Sequence, residues 1–256
     1  MTPTELELDI IGVPLLAGLL VVSTHIPLGR EVLRRGIIFI DLAVAQIAGL
    51  GVIAALAFGW DVGGWQTQVI AAGSALLGAT LIRGFERFWP EIQEALIGIT
   101  FVLAAAGGLL LLAGNPHGAE HLSDLLAGQL LWVDVDQLIT VAMAYLLVLL
   151  MWHWLGPGRL RFYLLFAVTV TASVQLVGVY LVFSSLIIPA VAIRRLQGIA
   201  AIATGYGLGA VAFASGLLCS LWFDWPAGPT VVWMLALLGS VLGIVIGASQ
   251  RGVTPA

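Results

Sequence analysis

The stretch IIFIDLAVAQIAGLGVIAALAF, residues 37–58, places an aspartate, Asp41, and a glutamine, Gln46, inside a run that otherwise reads as lipid-soluble. About 20 consecutive apolar residues let one helix cross a bilayer, and this run meets that length. A polar group left unsatisfied in hydrocarbon costs several kcal/mol, so an ionisable residue in such a span turns towards other helices or a wet cavity. Asp41 and Gln46 therefore point to a polar pathway between helices.

Composition carries the same message. Hydrophobic residues make up 61% of the chain and charged residues 9%, whereas about a quarter of a soluble domain is charged. The mean hydropathy is +1.09. An all-α, polytopic membrane protein follows. At about 20 residues per crossing there is room for about seven to nine helices, in a single transmembrane domain over residues 1–256 that leaves no separate soluble domain. Apolar runs near 10–28, 37–58, 67–82, 92–113, 138–155, 164–193, 198–222 and 229–248 give about eight spans.

All ten basic residues are arginine. Without a lysine, a P-loop has nothing to reach a nucleotide's phosphates, so any ATP that drives this protein binds to another chain. The single cysteine, Cys219, excludes an intramolecular disulfide or a multi-cysteine cluster and reads as packing. The acidic start MTPTELELD lacks the features of a secretory signal, so the first helix is expected in the mature protein.

Arginines gather at Arg30, Arg34 and Arg35, at Arg83 and Arg87, at Arg159 and Arg161, at Arg194 and Arg195, and at Arg251. The positive-inside rule makes these the cytoplasmic ends. The loops at 59–66, 114–137 and 224–229 lack arginine and fall outside. This alternation puts the N-terminus outside and holds through five spans. It strains at 162–196, where one long apolar run has arginines at both ends. A broken or re-entrant pair would keep both ends inside, with Gly178, or Ser184, Ser185 and Pro189, supplying the break. A single tilted span would send the C-terminus outside.

Gly239, Gly243 and Gly247 recur at four-residue spacing, and Gly205, Gly207 and Gly209 lie close together. Such stripes serve packing within the chain or a dimer face. The densest ligand cluster is NPHGAEHLSD, with His117, Glu120, His121 and Asp124. On a helix, the histidines form one i, i+4 pair and the carboxylates another, which suits either metal gathering on the outer face or a solvated polar helix. The string His117 to His121 also spells H-x-x-E-H, a protease signature. Pro116 and Gly118 put its first histidine at a helix start at best, and His25 and His153 fall near the opposite membrane face, which disfavours that reading.

Four strings in register, THIPLGREVLRRGIIFIDLAVAQIAGLG at 24–51, EALIGITFVLAAAGGLLLL at 94–112, LAGQLLWVDVDQL at 126–138 and VQLVGVYLVFSSLIIPAVAIRRL at 174–196, resemble the permease subunit of metal-cation ABC importers of the zinc and manganese type. The resemblance runs from about residue 10 to residue 248 and includes DWPAGP before the last helix. It implies a homodimeric or pseudo-dimeric pore, a cytoplasmic ABC ATPase dimer that binds the ATP, and an extracytoplasmic metal-binding protein. It also implies a bacterial inner-membrane location. The transported divalent metal ion would be cargo, with no permanently bound cofactor and no nucleic-acid partner. Members of this type place an aspartate and, four residues on, a histidine in the second helix; here those positions read Leu42 and Gln46. Asp41 stands one residue earlier, about 100° around the helix, so the ligand set is weaker and harder and favours Mn²⁺ or a hydrated ion over Zn²⁺.

Asp41 thus has two readings, a pathway carboxylate or a structural partner for Arg34, Arg35 or another arginine. Glu94 is either a pathway group or a solvated helix end. Gln175, Ser184, Ser185 and Ser215 are polar within spans, although serine commonly bonds to its own preceding turn. The segment LGPGRLRFYLL at 155–165 lies where the resemblance puts ATPase coupling, with Arg159 and Arg161 as docking groups or ordinary positive-inside anchors, on a linker shorter than usual. The resulting expectation is a non-catalytic permease whose pathway uses Asp41, Gln46, Glu94 and Gln175, with Asp41, His117 and His121 as metal ligands. The alternatives are an ATP-independent secondary cation transporter or channel, and a membrane scaffold.

Overall fold

The structure is a computed structural model, and it describes residues 3–60, 64–112, 130–154 and 158–251. Among the described residues there are eight α-helices: α1 (Pro3–Arg35), α2 (Ile40–Ala57), α3 (Trp65–Phe88), α4 (Gln93–Leu112), α5 (Val135–Trp154), α6 (Arg159–Ala192), α7 (Gly198–Phe223) and α8 (Ala227–Arg251), with short 3₁₀ turns at Pro90–Ile92 and Leu130–Trp132. Seven helices are long and apolar enough to span a membrane, and Ile40–Leu56 is a shorter apolar helix. An apolar chain in lipid must satisfy its backbone within itself, which the helix does along its own length. Leu77, Leu110 and Ile244 are 73%, 77% and 71% exposed, so these helix faces meet lipid.

The first helix outruns its expected span of 10–28. At 33 residues it is about 50 Å long, well beyond a hydrocarbon core of about 30 Å. Its last turns are held by Glu31, which pairs with Arg34 and, at 2.7 Å, with Arg35. Pro14 and Pro27 lie inside it without ending it. Pro27 has no N–H, so the carbonyl of Ser23 loses its usual donor. The Tyr206 hydroxyl of α7 donates to that oxygen at 2.9 Å.

The helices fall into two compact units, one from 1–35, 127–139 and 176–256 and the other from 36–126 and 140–175. In the first unit, α1 packs on α7 and α7 on α8. Small residues permit this closeness. A Cβ on Gly209 would meet Val22 at 2.7 Å, and one on Gly216 would meet the Val231 Cα at 2.7 Å. Gly239 and Gly247 likewise face Ile188 and Arg195 of the same unit. In the second unit, α2 lies against α3 and α4. Gly78 of α3 sits against Ile47, and Gly108 of α4 against Ile53. From Ile40 to Gly49 nearly every α2 residue is buried, as expected for a helix that is apolar all round.

The break expected between 162 and 196 falls at Gly178, whose φ of 77° and ψ of 164° interrupt the 34-residue α6. This backbone region is essentially reserved for glycine. Ser184, Ser185 and Pro189 lie in helical conformation after it. The turn between α7 and α8 is set by Asp224 in the left-handed region. There Ser220 Oγ donates to the Trp225 carbonyl at 2.6 Å and the Phe223 and Trp225 rings stack, 4.9 Å between centroids.

The tightest helix contact gives a direct check. A Cβ on Gly29 would stand 2.0 Å from the Leu186 carbonyl oxygen, a main-chain atom that cannot turn aside. Gly29→Ala should destabilise the fold by about 1–3 kcal/mol through overpacking. A lowered thermal midpoint in detergent is the expected result, and an unchanged midpoint would contradict this contact.

Candidate functional site

Two carboxylates stand at helix starts in the second unit. Asp41 stands in the first turn of α2 and Glu94 in the first turn of α4. Phe39, the residue before α2, has no side-chain cap to offer. Its backbone N–H donates to Glu94 Oε1 at 3.2 Å, so a residue 55 positions away closes the helix end. The 3₁₀ turn Pro90–Ile92 precedes α4, with proline at a first-turn position where no N–H is required.

Asp41 is 1% exposed. Neither of its carboxylate oxygens has a hydrogen-bond partner among the described residues, and the buried Glu94 Oε2 also has none. Both side chains stand at helix N-termini, whose dipoles favour negative charge. That support is partial, because burial disfavours a carboxylate charge that has no partner. A cation held there would give the unbonded oxygens a partner. The donors are hard oxygens, the kind that divalent cations accept.

The arginines expected as structural partners for Asp41 are engaged elsewhere, Arg34 and Arg35 with Glu31. Gln46 is buried at 8% exposure on the same helix. Five residues on, it is displaced about 7.5 Å along the axis and about 140° around it, so it does not share the Asp41 face. Gln175 is exposed. Ser184, Ser185 and Ser215 donate to the carbonyls of Tyr180, Val182 and Val211, each on its own helix. His117, Glu120, His121 and Asp124 lie outside the described residues. Arg159 begins α6, and its side chain is likewise outside them. Arg161 folds back on the end of α5: its guanidinium sits 5.1 Å from the Trp152 ring centroid and donates to the Trp152 carbonyl at 3.1 Å. Among the described residues no three His, Cys, Asp or Glu side chains form a metal cluster.

One buried group was not singled out from the sequence. His25 is 0% exposed on α1, and its Nε2 has no partner among the described residues. The only available signal was a histidine in an apolar run, which does not reveal the face it occupies.

Residues 7–156 and 158–246 match the ABC 3 transport family, and the chain belongs to that family. It is a multi-pass membrane protein of a transport family, with a non-catalytic permease role. The chain is 25% identical over 258 residues to the high-affinity zinc uptake system membrane protein ZnuB of Haemophilus influenzae, covering 90% of this chain and 95% of that one. Its fold is similar to that of PsaBC from Streptococcus pneumoniae, solved with a Fab, at a TM-score of 0.70 and 24% identity, covering 91% of this chain and 90% of that chain. An inward-facing structure assigned to the metal-chelate ABC transporter type matches at a TM-score of 0.58 and 17% identity, over 99% of this chain and 88% of that chain.

The orphaned carboxylate makes a stability prediction. Asp41→Asn keeps the shape and removes the buried ionisable group, whose charged form costs free energy when unpaired. Its thermal midpoint should equal or exceed that of the parent. A fall of several degrees would mean that the carboxylate has a stabilising partner.

Proposed function

We propose that this chain is the membrane-spanning subunit of an ABC importer for a divalent transition-metal ion of the zinc or manganese class, in the bacterial inner membrane. Membership of the ABC 3 transport family supports the transport class, and the zinc uptake and metal-chelate names of similar proteins support the cargo. The single observation that carries the residue assignment is Asp41, a fully enclosed carboxylate with two unbonded oxygens. An intramembrane ionisable residue in that state marks an ion path.

In this reading an extracytoplasmic metal-binding protein delivers the ion to the outer face, where His117, Glu120, His121 and Asp124 receive it. The ion passes Gln46 and reaches Asp41 and Glu94 near the arginine-rich, cytoplasmic end of α2 and α4. Gln175 contributes a further polar wall. His117 and His121 serve as nitrogen ligands on the outer side, and Asp41 as an oxygen ligand within. A cytoplasmic ABC ATPase dimer binds and hydrolyses ATP and acts on the connection between α5 and α6, which carries Arg159 and Arg161. The bond from Arg161 to Trp152 fastens α6 to the end of α5, so force on this turn moves both helices together. A second copy completes the pore, and lipid surrounds it. Nothing is bound permanently: the metal is cargo, and ATP resides on the partner.

Reconstitution of the chain with its ATPase and binding protein tests this account. Vesicles should take up Zn²⁺ or Mn²⁺ only while ATP is hydrolysed, and Asp41→Asn should lower that uptake at least about tenfold, the scale on which losing a metal-site group weakens binding. Uptake that persists without ATP would instead indicate a secondary transporter or channel.

A further inference from the structure

His25 presents a buried ring nitrogen in the first helix. Its Nδ1 lies 2.7 Å from the carbonyl oxygen of Val21, one turn earlier. A carbonyl oxygen only accepts, so Nδ1 carries the hydrogen, and the neutral ring holds its lone pair on Nε2. That nitrogen is buried and has no hydrogen-bond partner among the described residues. The main chain beside it is better served, since Tyr206 takes the Ser23 carbonyl that Pro27 leaves open. An apolar side chain would fill the space of the imidazole without the cost of a buried, unused acceptor.

Histidines that ligate transition metals share this arrangement. One ring nitrogen donates to a backbone carbonyl or a carboxylate, which fixes the tautomer and the ring's orientation, and the other nitrogen meets the metal. We propose that His25 Nε2 is a direct contact for the transported ion, a nitrogen ligand that borderline transition-metal ions accept more readily than Mg²⁺ or Ca²⁺, which take oxygen ligands. The inference rests on the import reading above and extends it to the chemistry of the cargo. A lone imidazole suits passage rather than storage. Conduction needs a contact favourable enough to admit the ion and weak enough to release it.

The test uses the complete importer complex in proteoliposomes with ATP, and ZnCl₂, CdCl₂ and MgCl₂ as probes. His25→Gln fills a similar space without an imidazole nitrogen, and His25→Cys puts a thiolate in its place. His25→Gln should raise the half-saturating Zn²⁺ concentration at least about tenfold. His25→Cys should restore uptake of Zn²⁺ and Cd²⁺, a rescue that a packing role does not produce. Mg²⁺ should not be carried by any variant. An unchanged half-saturation in His25→Gln, or equal loss in both variants with or without assembly, overturns the proposal. Failure of the parent complex to take up Zn²⁺ or Mn²⁺ would overturn the import reading itself.

Discussion

No water is available inside a bilayer to satisfy a polar group, and the structure is organised around that constraint. Thr169, Thr171, Ser184 and Ser215 donate to carbonyls on their own helices. Tyr206 covers the carbonyl opened by Pro27, and Glu94 closes the N-terminus of α2. Against this background the buried side-chain atoms without partners among the described residues stand out: both oxygens of Asp41, Glu94 Oε2, His25 Nε2 and the Arg161 Nε. Arg161 is anchored through its other nitrogen and its ring contact. The remaining groups are two oxygen-bearing acids and one imidazole, which is the chemistry of cation binding.

Holding unpaired acids in place requires a frame that does not collapse around them. Small residues supply it. Gly78 and Gly108 let α3 and α4 come close to α2, which fixes the helix that carries Asp41. In the other unit Gly29 approaches a main-chain oxygen, a contact that tolerates no side chain. Gly178 differs in kind, because its positive φ permits a break where other residues would resist it. The favourable dispersion of tightly packed helices thus coexists with buried polar atoms that the fold leaves unpaired.

Eight apolar runs were legible in the sequence because lipid imposes a length and composition on every span. The ends were less legible. Helix α1 continues to Arg35, beyond the apolar run, since Glu31 pairs with Arg34 and Arg35 on its last turns. The break in α6 was narrowed to two places, and Gly178 rather than Pro189 takes it, because a proline within a helix loses one bond whereas a glycine admits a new backbone conformation. Asp41 was conspicuous as a carboxylate in an apolar run. The closure of its helix by Glu94 was not, since their helices come together only in the folded chain. His25 was placed only by its position along the span, because the orientation of its ring depends on the bond to Val21.

The central claim is that the two carboxylates at the heads of α2 and α4 hold the cargo. Equilibrium binding of radioactive Mn²⁺ or Zn²⁺ to the complete complex in lipid nanodiscs tests it most directly, comparing the parent with the Asp41→Asn, Glu94→Gln double variant. The account predicts that the variant assembles with its ATPase and loses ion occupancy. Equal occupancy in both would contradict it and remove this site from the path of the ion.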